Sequence, residues 1–217
     1  MADFTIYIGN KNYSSWSLRG WLMLKQSGAS FEEVLVPLRE TATRTTILRH
    51  SPSGRVPALH HGDRVIWETL AIGEYLAERF PEAGLWPADP GARAVARSVS
   101  AEMHAGFAAL RSHLPMNMRS NFAGRGLTPE AQADVNRITA LWRDCRKRFG
   151  ADGKLLFGHP TIADAMYAPV VSRFRTYRIE LEEEAQRYAD AVWALPALQE
   201  WATAAGHEPM VIEEFEF

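Results

Sequence analysis

The chain has 217 residues, of which 47% are hydrophobic, and 24 basic against 26 acidic side chains leave a formal net charge of −2. Such a balanced charge argues against a nucleic-acid-binding protein, which usually shows a basic stripe. No apolar run is long enough for a transmembrane helix, and the first residues show no signal peptide. We therefore expect a cytoplasmic protein with no nucleic-acid or membrane partner and a core of one or two domains.

Motifs for several common chemistries are missing from the sequence. Cys145 is the single cysteine, so neither an internal disulfide nor a CxxC redox pair can form. It falls on an apolar helix stripe, where a cysteine usually behaves as a small hydrophobe. The histidines show no metal-binding spacing, and there is no P-loop or Gly-x-Ser-x-Gly motif. We therefore expect no metal site, and a hydrolase or nucleotide enzyme has little support.

The first 80 residues alternate between strand and helix patterns. In chain order they predict a strand at 4–9, a helix at 14–28, a strand at 31–38, a helix at 41–50, a hairpin at 56–67 and a helix at 68–80. Serines can cap the start of the first helix, and Gly28 follows its end. The order of elements is therefore βαβ, then α, then ββα.

A stretch rich in proline and glycine at 81–93 predicts a linker, and the rest of the chain is helical in pattern. The predicted helices run over 94–118, where Pro115 should kink or end the helix, then from about Thr128, from Thr161 to Tyr177, and over about 182–194 and 197–205. We expect domains at 1–82 and 94–217 joined by residues 83–93. The cleft between two such domains is the default ligand site.

Pro57 stands at the start of the predicted hairpin. An ordinary trans proline fits the start of a strand. The alternative is a cis Val56–Pro57 bond in a tight turn. A cis bond would turn the main-chain N–H and C=O of Val56 outward, where an extended ligand could pair with them as a strand does.

Glu68 and Thr69 follow the hairpin directly and open a helix. Both residue types are common in a first helical turn. The functional alternative is an anion site formed by the free N–H groups of the helix start and the Thr69 hydroxyl, with Glu68 accepting a cation. An α-amino acid head group carries both charges that this pair could bind.

The segment NYSSWS, residues 12–17, precedes the first helix. Its serines could serve only as helix caps. The functional alternative is that a serine hydroxyl at the helix N-terminus donates to a thiolate, which lowers the pKa of the thiol. A free thiol has a pKa of about 8.5 and is mostly protonated at neutral pH, so such a contact would activate it as a nucleophile.

In combination, these features resemble the cytosolic glutathione transferases, over essentially the whole chain. RVPAL is similar to the family's cis-proline strand, ETLAIGEYLAERF to its helix with an acid–hydroxyl start, and TIADAMYAPV to its capping motif on a later helix. The resemblance implies an α/β, thioredoxin-like N-terminal domain that binds glutathione. It also implies an all-α C-terminal domain that shapes the site of the second substrate.

The resemblance also implies residue roles. Val56 and Pro57 would bind the cysteinyl part of glutathione, and Glu68 and Thr69 its γ-glutamyl head, although the family usually has serine in place of Thr69. The candidates for contact with the second substrate, all on the first long helix of the second domain, are Met103, His104, Phe107 and Arg111, of which Met103 and Phe107 also fit a core stripe.

For the catalytic residue, SSWSLR resembles the SSCSWR stretch of the zeta class, which points to Ser14, with Ser15 close behind. Trp16 replaces that motif's cysteine. Tyr7 and Tyr13 are tyrosine alternatives, and Tyr13 is the more plausible because it lies in the loop.

The resemblance predicts a glutathione S-transferase that activates the thiol of its co-substrate glutathione for attack on an electrophilic small molecule. Such a detoxification enzyme is expected to be a homodimer. A glutathione-dependent cis–trans isomerase similar to maleylacetoacetate isomerase is the alternative on the same fold. A non-catalytic binding module on this fold is the alternative from another class.

Overall fold

A four-stranded sheet with strand order β2–β1–β3–β4 forms the N-terminal part of the protein, in a computed structural model that describes residues 3–216. The strands are β1 (Phe4–Ile8), β2 (Phe31–Leu35), β3 (Ala58–His61) and β4 (Arg64–Trp67). β1 runs parallel to β2 and antiparallel to β3, and β3 and β4 form the predicted hairpin. Met1, Ala2 and Phe217, at the outer ends of the predicted domains, lie outside the described residues.

Three helices accompany this sheet, as predicted: α1 (Ser15–Gln26), α2 (Thr43–Leu48) and α3 (Thr69–Arg79). α1 packs against α3 and lies close to the start of β3. A Cβ atom placed on Gly20 of α1 would lie 2.9 Å from Cγ of Pro57. A side chain at this position would therefore push the helix away from the strand on which we expect glutathione to bind. The elements confirm the thioredoxin-like order expected for this half.

The remaining helices are α4 (Pro90–Ala105), α5 (Ala108–His113), α6 (Pro129–Phe149), α7 (Ile162–Tyr177), α8 (Glu183–Trp193) and α9 (Pro196–His207), with single 3-10 turns at Pro81–Ala83 and Glu213–Phe215. α4 begins within the predicted linker, because the Asp89 carboxylate caps it by accepting the Ala92 N–H over 2.7 Å. No helix in the described range is long and apolar enough to cross a bilayer.

The prediction of one helix over residues 94–118 is wrong, since the chain breaks at Gly106 and Phe107 between α4 and α5. Phe107 has a φ of 61°, which is outside the helical range. A Cβ on Gly106 would lie 2.9 Å from the main-chain oxygen of Glu102, so this close turn favours glycine. The apolar spacing continued across the break because Phe107 and Leu110 both reach the core.

α7 is the central helix of the second half, and all of its residues except Arg175 are buried. It packs against α1, α4 and α8 and so joins the two halves of the chain. The predicted capping motif at its start is present: the Asp164 carboxylate accepts the Thr161 N–H over 2.8 Å and the Thr161 hydroxyl over 2.9 Å. Cys145 on α6 is buried as expected, and burial raises the pKa of its thiol to about 12.

Candidate functional site

Ser14 is the N-cap of α1 and lines a cavity of about 490 Å³. Its Oγ accepts the Ser17 N–H over 3.3 Å, and its hydroxyl donates to Ser17 Oγ over 2.7 Å. Ser17 Oγ also accepts the Gly9 N–H over 2.9 Å. The Ser14 oxygen is thus held in place at a helix N-terminus, where the helix dipole favours negative charge.

Ser15 is the first residue of α1 and lines the same cavity. Only 7% of its surface is exposed, as is the case for Ser14. Within residues 3–216 no group hydrogen-bonds to the Ser15 hydroxyl. Both predicted serines therefore face the same cavity, Ser14 with an anchored hydroxyl and Ser15 with a free one.

Tyr13 also lines this cavity, but its hydroxyl is fully engaged elsewhere. It donates to a Glu216 oxygen over 2.6 Å, and it accepts from Arg119 Nη2 over 2.8 Å and from the Ile212 N–H over 3.2 Å. Burial, and then the hydrogen bond to Glu216, raise the pKa of Tyr13 above its usual value. The tyrosine alternative would have to give up this network to reach a sulfur atom.

Tyr7, the other tyrosine alternative, lies on β1, where its ring stacks on that of His50 at 4.1 Å. It does not line either of the cavities described here. The sheet thus places it away from the two serines.

A second cavity of about 300 Å³ lies beside the first and brings the predicted glutathione residues together. Its lining includes Val56, Pro57, Glu68 and Thr69, all four of the residues inferred from the resemblance. The side chain of Thr69 is almost fully buried, and its hydroxyl has no partner among the described residues. Glu68 caps α3 with a φ of 67°, a value uncommon outside glycine and often found at functional sites.

The Val56–Pro57 bond is cis, which decides between the two alternatives left open by the sequence. Val56 lines both cavities. Within the described range, no main-chain hydrogen bond uses the N–H or C=O of Val56. Both groups are thus available to the backbone of a ligand.

Trp16 and His104 complete the wall between the sites. Trp16 lines both cavities, and its ring meets the edge of His104 at 5.1 Å. His104 lies in the smaller cavity, where its Nε2 is 3.8 Å from a Glu68 oxygen. Burial lowers the pKa of His104, and the Glu68 carboxylate opposes that shift. His104 therefore lines the cavity that contains Glu68 and not the larger cavity that contains the two serines.

The other second-substrate candidates divide in the same way. Arg111 lines the larger cavity, as predicted. Met103 and Phe107 do not line either cavity, because both side chains pack into the core. Their assignment to the second substrate is therefore corrected: the apolar stripe marked the buried face of α4, and the break at Gly106 keeps Phe107 in the core.

Sequence reasoning assigned no site role to three residues that belong to this region. Trp16 was noted only as a replacement for cysteine, although it separates the cavities. Arg173 lines the larger cavity from the middle of α7, and Ser17 supports Ser14. An arginine inside an otherwise apolar helix is a signal that could have identified Arg173, because arginine is almost never fully buried unless it is paired.

Comparison with known proteins agrees with this geometry. The model of the glutathione S-transferase N-terminal domain matches residues 13–79, and that of the C-terminal domain matches residues 93–204. A probable maleylacetoacetate isomerase of Caenorhabditis elegans is 30% identical over 169 residues, 77% of each chain. A zeta-class glutathione S-transferase of Euphorbia esula is 31% identical over 147 residues, 67% of this chain and 61% of that relative.

Solved structures show the same fold. A glutathione transferase homologue from Burkholderia with bound glutathione superposes with a TM-score of 0.71 at 24% identity, covering 94% of this chain and 98% of that one. The chain belongs to the glutathione S-transferase family, in which glutathione is the co-substrate. Within that family its sequence is similar to the zeta class and to maleylacetoacetate isomerase.

Proposed function

We propose that this glutathione transferase binds its co-substrate across the two adjacent cavities and activates the thiol with Ser14. The γ-glutamyl head binds at Glu68 and Thr69, and the cysteinyl backbone pairs with Val56 beside Pro57. The observation that carries the proposal is that Val56 lines both cavities, one with the Glu68–Thr69 pair and the other with Ser14. A tripeptide that spans Val56 can therefore bring its thiol to the start of α1.

The chemical step requires little beyond thiolate stabilisation and positioning. The glutathione thiol loses its proton to solvent, and the Ser14 hydroxyl donates a hydrogen bond to the resulting thiolate at the N-terminus of α1. The sulfur lone pair forms a carbon–sulfur bond to the electrophile, and the leaving group departs with the electron pair of the bond that breaks. Orientation in the larger cavity supplies much of the rate enhancement.

Ser14 is preferred over Ser15 as the thiol partner because its oxygen is anchored. The Ser17 N–H holds the Ser14 oxygen in place, so the hydroxyl needs only to turn its proton from Ser17 Oγ towards an anion in order to donate to it. The Ser15 hydroxyl has no fixed partner, so we assign it a secondary role in the same cavity.

The proposal extends to the organisation of the protein. Residues 1–82 would hold glutathione, and residues 94–217 would shape the electrophile site, with 83–93 as the connection. We propose a cytoplasmic homodimer with a role in detoxification, on the pattern of the family. Sedimentation at the 24.4 kDa of a single chain would contradict the dimer.

The isomerase is the second candidate, supported by the similarity to a probable maleylacetoacetate isomerase. In that reaction the thiolate adds to a cis double bond, rotation follows, and the thiolate leaves again. Turnover of maleylacetoacetate without net consumption of glutathione would support it. A non-catalytic module is a third possibility, which predicts no retention on glutathione and tolerance of Glu68→Ala.

Retention on immobilised glutathione, followed by conjugation assays on Ser14→Ala and Ser15→Ala separately, tests the main proposal. We expect retention of all three proteins and a larger loss of conjugation for Ser14→Ala, by about tenfold or more. Ser100→Ala is a matched control, because this buried hydroxyl on α4 has no partner. Equal activity of Ser14→Ala and wild type would refute the role of Ser14.

A further inference from the structure

A short turn, residues 10–14, leads directly into the start of α1. The N–H groups of Ser14 and Tyr13 both donate to the Asn10 carbonyl oxygen, over 2.8 and 3.1 Å. Lys11 and Asn12 lie between these ends, and Ser14 itself is the N-cap of the helix and lines the larger cavity. A shift of this turn would therefore move the Ser14 hydroxyl relative to the cavity.

The main chain of this turn is held by the other half of the protein. The Lys11 carbonyl oxygen accepts from Trp201 Nε1 over 2.9 Å, and the Asn12 carbonyl oxygen accepts from the Met118 N–H over 3.3 Å. The N–H groups of Lys11 and Asn12 donate to the two oxygens of the Glu208 carboxylate, over 2.7 and 3.0 Å. All four main-chain polar groups of these two residues thus have partners that lie far away along the chain.

Glu208 is placed for this contact by α9. It directly follows His207, the last residue of that helix, and its N–H donates to the Ala205 carbonyl oxygen over 3.3 Å. Only 8% of its surface is exposed, and its own carbonyl oxygen accepts from Arg119 Nη1 over 2.6 Å. Two successive N–H groups that converge on one carboxylate make charge-assisted hydrogen bonds, and burial protects these bonds from competing water.

The segment after Glu208, residues 209–216, is fastened to the same turn through a side chain. The Tyr13 hydroxyl donates to Glu216 over 2.6 Å and accepts the Ile212 N–H over 3.2 Å. Loss of this hydroxyl would loosen the segment but would leave the main-chain contacts of the turn in place. Within residues 3–216, the stretch 208–216 reaches the main chain of the turn only through the Glu208 carboxylate.

We propose that Glu208 is a positioning residue of this transferase. By holding the N–H groups of Lys11 and Asn12, it fixes the Ser14 hydroxyl at the place where that hydroxyl meets the glutathione thiolate. Glu208 lines neither of the two cavities, so it acts through the turn and not by contact with a substrate. The inference rests on the proposed function, because it takes Ser14 as the partner of the thiol.

Glu208→Gln tests this role, because it keeps the size of the side chain and leaves one of the two N–H groups without an acceptor. The Asn12 side chain still donates to Asn117 Oδ1 and accepts the Arg119 N–H, so we expect the turn to stay attached and the variant to fold. The kcat for conjugation should fall about tenfold, and the thiol pKa of bound glutathione should rise by up to about one unit. The KM for glutathione should change by less than about twofold, because Glu208 does not line the glutathione site.

Glu213→Gln is the matched control, since it makes the same change at an exposed position a few residues further along the chain. It should leave both kcat and the thiol pKa at their wild-type values. Equal kcat and thiol pKa in the two variants would overturn the proposal. A lower melting temperature and weaker glutathione retention for Glu208→Gln, with an unchanged thiol pKa, would indicate a purely structural role and would also overturn it.

A double-mutant cycle with Ser14→Ala shows whether Glu208 acts through the serine. If it does, Glu208→Gln should lower kcat about tenfold in the wild-type background but less than about twofold in the Ser14→Ala background. An equal loss in both backgrounds would overturn the inference and leave the proposed function intact. Wild-type activity of Ser14→Ala alone would refute the serine of the proposed function, and this inference with it.

Amide hydrogen exchange in the wild-type protein tests the anchor without any variant. We expect the Lys11 and Asn12 amides, followed by NMR, to exchange at least about a hundredfold more slowly than the same amides in an unfolded chain. In Glu208→Gln at least one of the two should exchange faster. Exchange of both wild-type amides at the unfolded rate would show that the carboxylate does not hold the turn, and would overturn the proposal whatever the variant does.

Discussion

The hydroxyl oxygens of Ser14 and Ser17 lie 2.7 Å apart at the start of α1, and Ser17 Oγ also accepts the Gly9 N–H. Ser17 is fully buried, whereas Ser14 lines the larger cavity. With a thiolate in the cavity, the Ser17 hydroxyl can donate to Ser14 Oγ, and the Ser14 hydroxyl, which keeps its proton, can then donate a hydrogen bond to the sulfur. Consecutive hydrogen bonds polarise one another, so the hydrogen bond from Ser17 to Ser14 strengthens the hydrogen bond from Ser14 to the thiolate.

We therefore expect Ser17→Ala to raise the thiol pKa of bound glutathione by about one unit or less, the equivalent of one hydrogen bond. The loss of conjugation should be larger below that pKa than above it. Ultraviolet titration of the thiolate on the enzyme measures the shift. Ser27→Ala removes a buried hydroxyl at the other end of α1, which donates to the Leu24 carbonyl oxygen over 2.7 Å, and should leave the pKa unchanged. Identical thiol pKa values for the two variants would contradict the proposed contribution of Ser17 to the stabilisation of the thiolate.

Glu68→Gln and Thr69→Val should weaken glutathione binding. The first removes the charge proposed to pair with the amino group of the γ-glutamyl head, and the second removes a hydroxyl that has no partner among residues 3–216. We expect KM for glutathione to rise about tenfold for each, and Thr69→Ser to remain near wild type. Glu78→Gln, at an exposed position of α3, is the control. An unchanged KM in both variants would exclude this pair from the glutathione site.

Gly20→Ala should disturb both stability and glutathione binding, because the added methyl group would lie 2.9 Å from Pro57 Cγ. Overpacking of this kind usually costs about 1–3 kcal/mol. Gly206→Ala on α9 meets nothing within 4 Å and should be neutral or stabilising by up to about 1 kcal/mol. Thermal unfolding of the two variants separates the effects, and similar melting temperatures would show that α1 can move away from β3.

Tyr13→Phe separates a structural tyrosine from a catalytic one. The pKa of Tyr13 is raised, so the phenol stays protonated across the neutral range, and its proton is donated to Glu216. We expect the substitution to lower the free energy of unfolding by about 1–3 kcal/mol and to leave the pKa of bound glutathione unchanged. A rise in that pKa comparable to the effect of Ser14→Ala would instead identify Tyr13 as the thiol partner.

Sequence pattern was sufficient to predict the elements of the N-terminal half and the residues that line its smaller cavity, because these signals are local. The alternation of strands and helices, the cis candidate at Pro57 and the pair Glu68–Thr69 each depend on a few consecutive residues. The order of elements in such a fold was enough to predict that these residues would lie close together. They do line one cavity.

The larger cavity, proposed as the electrophile site, was less accessible to sequence reasoning, for a physical reason. Its walls come from α1, α5, α7, the loop after β2 and the C-terminal segment, which lie far apart along the chain. Met103 and Arg111 both lie on the predicted helix over 94–118, but the turn at Phe107 directs one to the core and the other to the cavity. Helical periodicity cannot reveal such a break, because both segments keep an apolar face.

Trp16, the second residue of α1, forms part of the wall of both cavities. Two ligands that press on the same side chain are energetically coupled, and the coupling is reciprocal. An electrophile that displaces the indole must therefore change the affinity for glutathione by the same factor by which glutathione changes the affinity for the electrophile. Preference for one order of substrate addition, and its variation among substrates, would then originate in the position of a single aromatic ring.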